Sequence, residues 1–203
     1  SATRLKVSYD DFLNADVFSG TLSDFLSLFL AGNDIITVSS LDVPADEVHG
    51  YTGNDKITGS EHEDQLHGDE GKDIVIGGEG DDVIVGGAGS DKLTGGQGVD
   101  TFTFTWSDFF SENANGDLIF NKSIDKITDF KQDDILDVLD LGFLDTSYSQ
   151  LSDAKEDQAE LFYIKGKVYY DLGAQTGGGY KPVVIITLTG SPVLDMDTDQ
   201  SIF

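Results

Sequence analysis

GYTGNDKIT, GSEHEDQLH, GDEGKDIVI, GGEGDDVIV, GGAGSDKLT and GGQGVDTFT follow one another without a slip from Gly50 to Thr103. The first position of each nine-residue block is glycine in all six. The sixth is always aspartate (Asp55, Asp64, Asp73, Asp82, Asp91, Asp100), and the eighth is always apolar (Ile57, Leu66, Val75, Ile84, Leu93, Phe102). The fourth is glycine in five blocks, with His62 the exception. A fixed period of this kind marks a repeat architecture, in which each block is one unit that buries its apolar face by stacking on its neighbours.

Each position has a physical task. Glycines at the first, second and fourth positions permit positive φ and a tight turn. The three residues after the aspartate form a short strand. Strand side chains alternate faces, so the eighth position points inward and the seventh and ninth outward. Two blocks complete a turn of such a spiral, which puts Asp55, Asp73 and Asp91 in one column and Asp64, Asp82 and Asp100 in another. Carboxylates about 4.8 Å apart repel by roughly 3 to 4 kcal/mol at an effective dielectric near 20, so the stack closes only around cations. Calcium suits it, because that ion takes six to eight hard oxygen ligands in flexible geometry. Softer metals find few ligands, since the chain has no cysteine and 3 histidines.

Upstream the pattern decays. LDVPADEVH (residues 41–49) keeps Asp46 and Val48 in register, and AGNDIIT (residues 31–37) keeps Gly32, Asp34 and Ile36 after a three-residue offset. Both are read as outer turns, since terminal repeats cap and are atypical.

The blocks resemble the GGxGxDxUx nonapeptide of the RTX (repeats-in-toxin) family of secreted bacterial proteins. The resemblance implies an all-β fold, a parallel β-roll, with calcium held between turns by sixth-position aspartates and by carbonyls of the first, third and fifth positions. Carried onto this chain, the carbonyl donors are Gly50, Thr52, Asn54, Gly68, Glu70, Gly77, Glu79, Gly86 and Ala88, and His62 disturbs the second block. Counting same-edge neighbours implies on the order of four to six calcium ions.

The remainder is read around this roll. Leu22, Phe25, Leu26, Phe29 and Leu30 recur at helical spacing, so residues 1–30 are expected to form an N-terminal capping segment with a short helix. The roll is assigned to residues 31–103 and a β-sandwich-like cap to residues 104–203. Within the cap, SIDKITDFKQDDILDVLDL is similar to the segment that follows the repeats in serralysin-type proteases and alginate epimerases. It offers Asp129, Asp134 or Asp137 for an extra calcium. AELFYIKGKVYYDL reads as a hairpin turning at Lys165 and Gly166, and KPVVIITLTG as a further strand. The last residues, DMDTDQSIF, resemble uncleaved signals for type I secretion.

Composition agrees with the secretion that the resemblance implies. A net charge of -26 disfavours nucleic acid and anionic membranes as partners. Such a chain is expected to stay unfolded where calcium is scarce and to fold after export. The chain starts at Ser1 with no signal-peptide pattern, and it is expected to be part of something larger.

No catalytic motif stands out. HEDQLH (residues 62–67) places its histidines five apart, whereas the zinc-protease motif needs four on one helical face. The leading expectation is a non-catalytic, monomeric module at the C-terminal end of an RTX adhesin. Its partners would be calcium, the type I secretion apparatus and the preceding domains. The alternative is the same module on an extracellular enzyme such as a serralysin-like metalloprotease, lipase or alginate epimerase. Acidic polysaccharide would need calcium or the lysines at 165, 167 and 181 to bridge it. Ice binding would need a Thr and Asn ladder, which the blocks after Thr52 and Asn54 lack.

Overall fold

A computed structural model describes residues 31–38, 47–112, 114, 118–138, 144–145, 160–171 and 182–190. The expected N-terminal helix, Asp46, Lys181 and the C-terminal signal lie outside the described residues.

The three residues after each sixth-position aspartate form a strand, as the alternation requires, and alternate strands join different sheets. Strands β1 (Ile35–Thr37), β4 (Lys56–Thr58), β7 (Ile74–Glu79), β10 (Lys92–Gln97) and β14 (Asp125–Phe130) stack in parallel on one face. Strands β2 (Val48–His49), β5 (Gln65–His67), β8 (Val83–Val85), β11 (Thr101–Thr103) and β15 (Ile135–Asp137) stack on the other. A third ladder runs through the turns at one edge, from β3 (Thr52–Gly53) through β6 (Glu70–Gly71) to β9 (Ala88–Gly89). The result is an all-β parallel roll.

The register is strict. Ile57 lies opposite Val75 and Val75 opposite Leu93; on the other face Leu66 lies opposite Ile84 and Ile84 opposite Phe102. These eighth-position side chains are completely buried. Each contributes about 1.5 to 3 kcal/mol of apolar burial, so the core is one residue thick and depends on its neighbouring turns.

After β11 the chain leaves the roll. Helix α1 (Trp106–Phe109) begins with Thr105, whose amide donates to the Asp108 side chain at 2.6 Å. An antiparallel hairpin of β12 (Phe110–Glu112) and β13 (Leu118–Phe120) follows, and the chain then returns to the roll as β14. This excursion adds aromatic rings to the buried core, with Phe104, Phe109 and Phe110 joining the eighth-position side chains. Trp106 stacks on Phe110 with centroids 4.3 Å apart, and Phe110 lies 5.0 Å from Tyr170. The cap is β-structured. Strands β16 (Leu144–Asp145), β17 (Glu160–Ile164), β18 (Lys167–Asp171) and β19 (Val183–Gly190) continue the larger sheet, with β19 pairing in parallel with β14. The β17–β18 hairpin turns at Lys165 and Gly166, whose φ values of 49° and 79° give the left-handed turn that strand twist favours.

Candidate functional site

The sixth-position aspartates stand where each turn enters its strand, and they are at most 2 % exposed from Asp55 to Asp100. Each backbone amide donates to the Oδ1 of the aspartate one full turn on. At one edge Asp34 donates to Asp55 at 2.7 Å, Asp55 to Asp73 at 2.7 Å, Asp73 to Asp91 at 2.8 Å and Asp91 to Asp125 at 2.8 Å. At the other, Asp64 donates to Asp82 at 2.9 Å, Asp82 to Asp100 at 3.3 Å and Asp100 to Asp134 at 3.2 Å. One carboxylate oxygen of each acceptor thereby locks the ladder, and in part of the column the second is left for a ligand.

Those second oxygens mark the site. The Oδ2 atoms of Asp34, Asp55, Asp73, Asp82, Asp91 and Asp125 are buried with no hydrogen-bond partner. An unmet buried acceptor costs about 1 to 3 kcal/mol, and more when charged. Burial, with neighbouring carboxylates adding to it, pushes Asp55 and Asp73 up to about 6 and Asp82 and Asp91 up to about 7. Asp125, the most enclosed of these, is pushed up to about 9. Burial also raises Asp34, Asp100 and Asp134 above the ordinary carboxylate value. Without a cation, protons are the remaining way to quiet these columns.

Carbonyl oxygens converge on the same places. A methyl group on Gly50 would lie 2.6 Å from the Gly68 carbonyl oxygen and 2.8 Å from Asp55 Oδ2. One on Gly68 would meet the Gly86 carbonyl oxygen at 2.5 Å and Asp73 Oδ2 at 2.8 Å. At the opposite edge the carbonyl of Gly77 approaches with Asp64 Oδ2 beside Gly59, and that of Gly95 with Asp82 Oδ2 beside Gly77. A donor set of carboxylate and peptide oxygens, free of nitrogen and sulfur, fits a hard divalent cation of calcium's size.

The third- and fifth-position residues stand somewhat apart. Thr52, Glu70 and Ala88 form the turn ladder, and the Thr52 carbonyl already accepts the Gly32 amide at 2.6 Å. Glu79 lies in β7 opposite Gln97. Asn54 acts through its side chain, whose Oδ1 accepts the Lys72 amide at 2.9 Å on the exposed rim.

The two edges differ. The Ser60 amide donates to Asp64 Oδ2 at 2.6 Å, in the block where His62 replaces glycine. The Lys131 ammonium lies 3.4 Å from Asp100 Oδ2 and 3.8 Å from Asp134 Oδ1, and it donates to the Gly98 carbonyl at 3.0 Å. Among the described residues of this edge, Asp82 alone keeps a partnerless Oδ2. Asp129 serves as a backbone cap, since its two oxygens accept the Gly95 and Gly96 amides at 3.0 Å each. Asp137 lies at the end of β15.

Asp125 was not among the residues expected from the sequence, although it extends the column of Asp91. Its signal is legible once the excursion is removed. Asp125 and Asp134 are nine residues apart, and Ile127 and Leu136 follow each by two, so the nonapeptide register resumes without its glycines. The ladder spans 34 residues at this step instead of 18, which hid it.

Stacked turns whose carboxylate and carbonyl oxygens converge in this way define a calcium-binding β-roll. Residues 45–75 and 67–102 match the RTX calcium-binding nonapeptide repeat, in four copies, so this stretch of the chain is an RTX repeat region. No curated protein sequence matches the chain. Among solved structures, it is similar to the AlgE6R3 subunit of the Azotobacter vinelandii mannuronan C5-epimerase, at 26% identity over 72% of this chain and 75% of that one, with a TM-score of 0.40. It is also similar to the AlgE6R2 subunit of the same enzyme, at 26% identity over 77% and 84% of the two chains, with a TM-score of 0.39.

Proposed function

We propose that this chain is a non-catalytic module of a larger secreted protein that binds several calcium ions and folds after export. The supporting observation is that, among the described residues, five buried carboxylate oxygens along one edge and one along the other lack hydrogen-bond partners. Asp34, Asp55, Asp73, Asp91 and Asp125 would hold calcium along one edge, with the carbonyls of Gly50, Gly68 and Gly86. Asp82 would do so along the other, with Gly77 and Gly95 contributing carbonyls. Calcium supplies positive charge and a wide, flexible oxygen shell. The protein supplies the ladder that holds Oδ1 and aims Oδ2 inward. We take the ion count as on the order of four to six.

The charge of -26 supports the order of events. In a calcium-poor cytosol the columns repel and the chain stays threadable, which suits a type I secretion apparatus reading the DMDTDQSIF tail. Outside, calcium binding becomes folding free energy. The roll at 31–103, extended by β14 and β15, then leads into the β cap that follows. The parent is read as an adhesin on the sequence alone, because the helical spacing of Leu22, Phe25, Leu26, Phe29 and Leu30 suits an end piece of the module's own. Far-UV circular dichroism of the chain, titrated with calcium and separately with magnesium after chelation, tests the reading. A cooperative gain of β signal with calcium alone is expected; full β signal in chelator would overturn it.

A further inference from the structure

Two of the chain's 3 histidines meet on the outer face of the smaller sheet. Strands β2 and β5 pair in parallel with His49 opposite His67, and the rings stack with centroids 4.6 Å apart and planes 20° from parallel. The Oε1 atom of Glu47 lies 3.2 Å from His49 Nε2 and 3.3 Å from His67 Nε2. The three side chains bring their ligating atoms within 4.8 Å of one another. His67 and His49 are 21% and 32% exposed at the side chain, so the cluster is half sheltered and open to an incoming ion.

Behind His49 stands a supporting carboxylate. The two oxygens of Asp69 lie 2.9 and 3.1 Å from His49 Nδ1, and one of them also accepts the Tyr51 amide at 2.9 Å. With its proton on Nδ1 and donated to Asp69, His49 presents the lone pair of Nε2 to the cluster. Metal-bound histidines are oriented by partners of this kind. Asp69 sits at φ 69°, a left-handed position that Gly87 fills one turn on. A side chain is thus retained where glycine is the easier choice, and that side chain is the one that fixes His49.

We propose that Glu47, His49 and His67 form a second metal site, separate in chemistry from the calcium columns, for a zinc-class divalent cation. Two imidazole nitrogens and one carboxylate oxygen suit zinc, with water completing a tetrahedron, while calcium's preference for oxygen turns it away. The site bridges adjacent strands at the start of the smaller sheet, where β2 has two residues. There the metal clips the first strand to the second. His49 and His67 end β2 and β5 and lead into the turns that carry Asp55 and Asp73, so the clip lies beside that column.

The test uses the full chain, free of any histidine tag and saturated with calcium, titrated with zinc against a chromophoric chelator. Cobalt titration is followed in parallel by visible absorbance. The expected result is about one zinc per chain, intense tetrahedral cobalt bands, and a higher melting temperature with zinc. The double variant H49Q/H67Q should lose at least about ten-fold in affinity, E47Q and D69N should each weaken binding, and H62Q should bind as the parent does. If the double variant fails to fold in calcium, E47Q and D69N carry the comparison. Zinc affinity equal in parent and variants, or no zinc taken up by the parent, would overturn the site and leave the cluster as histidine–carboxylate hydrogen bonds.

Discussion

The ammonium of Lys131 lies 3.4 Å from the buried Oδ2 of Asp100 and donates to the Gly98 carbonyl, so a side-chain cation occupies the last turn of one aspartate column. Asp100 is fully buried and Lys131 is 41% exposed, which limits the pair's own contribution through solvent screening. The pair makes the final turn independent of added metal. Replacing Lys131 with Met should cost about 1 to 2 kcal/mol in low calcium, and less than half of that at saturating calcium, which can then reach Asp100. Denaturant unfolding in chelator and in calcium checks this, and an equal loss in both would contradict the exchange of one cation for the other.

Central aspartates should matter more than terminal ones. Asn keeps the Oδ1 acceptor of the ladder and removes the charge, so Asp73→Asn and Asp82→Asn should each raise the calcium midpoint of folding by roughly ten-fold. Asp100→Asn should shift it by less, because Lys131 already neutralises that end. Asp64→Asn belongs with Asp100→Asn, since its Oδ2 accepts the Ser60 amide. Equal midpoints for all four variants would argue against a cooperative stack.

Acid should help the calcium-free chain and hinder calcium. The folded-state values of about 6 for Asp55 and Asp73, about 7 for Asp82 and Asp91 and about 9 for Asp125 all lie above the ordinary carboxylate value. The folded state therefore holds more protons than the unfolded chain, and stability without calcium falls as pH rises from about 4 towards 9. Calcium must displace those protons. The β signal in chelator should accordingly be larger at pH 5 than at pH 8, and the calcium midpoint should rise on acidification. A midpoint independent of pH would show that the carboxylates bind no protons in the folded state.

The turn glycines are steric requirements. Gly71 adopts φ 147°, and a methyl group there would run into the backbone carbonyl of Gly53 one turn below. Gly71→Ala should cost about 3 kcal/mol or more and raise the calcium needed for folding, whereas Val99→Ala, at a 40% exposed site, should be nearly neutral. Thermal unfolding of both variants in calcium decides it.

The six regular blocks made the roll legible, because glycine, aspartate and one apolar residue at a fixed period leave few other ways to bury the eighth position. The two-column arrangement of Asp55 to Asp100 followed from the same period. Asp125 escaped because helix α1 and the β12–β13 hairpin interrupt the count before β14. Lys131 escaped because nothing in a linear pattern tells a capping lysine from a solvated one. The meeting of His49 with His67 needed the register of β2 against β5, which places side chains 18 residues apart side by side.

The most direct test of the calcium-closed stack is amide hydrogen exchange at Asp55, Asp73 and Asp91, whose N–H groups each donate to the next carboxylate of the column. In calcium these three amides should be among the most protected in the chain, and in chelator at pH 8 they should exchange at rates near those of an unfolded peptide. Equal protection in both conditions would contradict the account, because the column would then close without the ion it is built to hold.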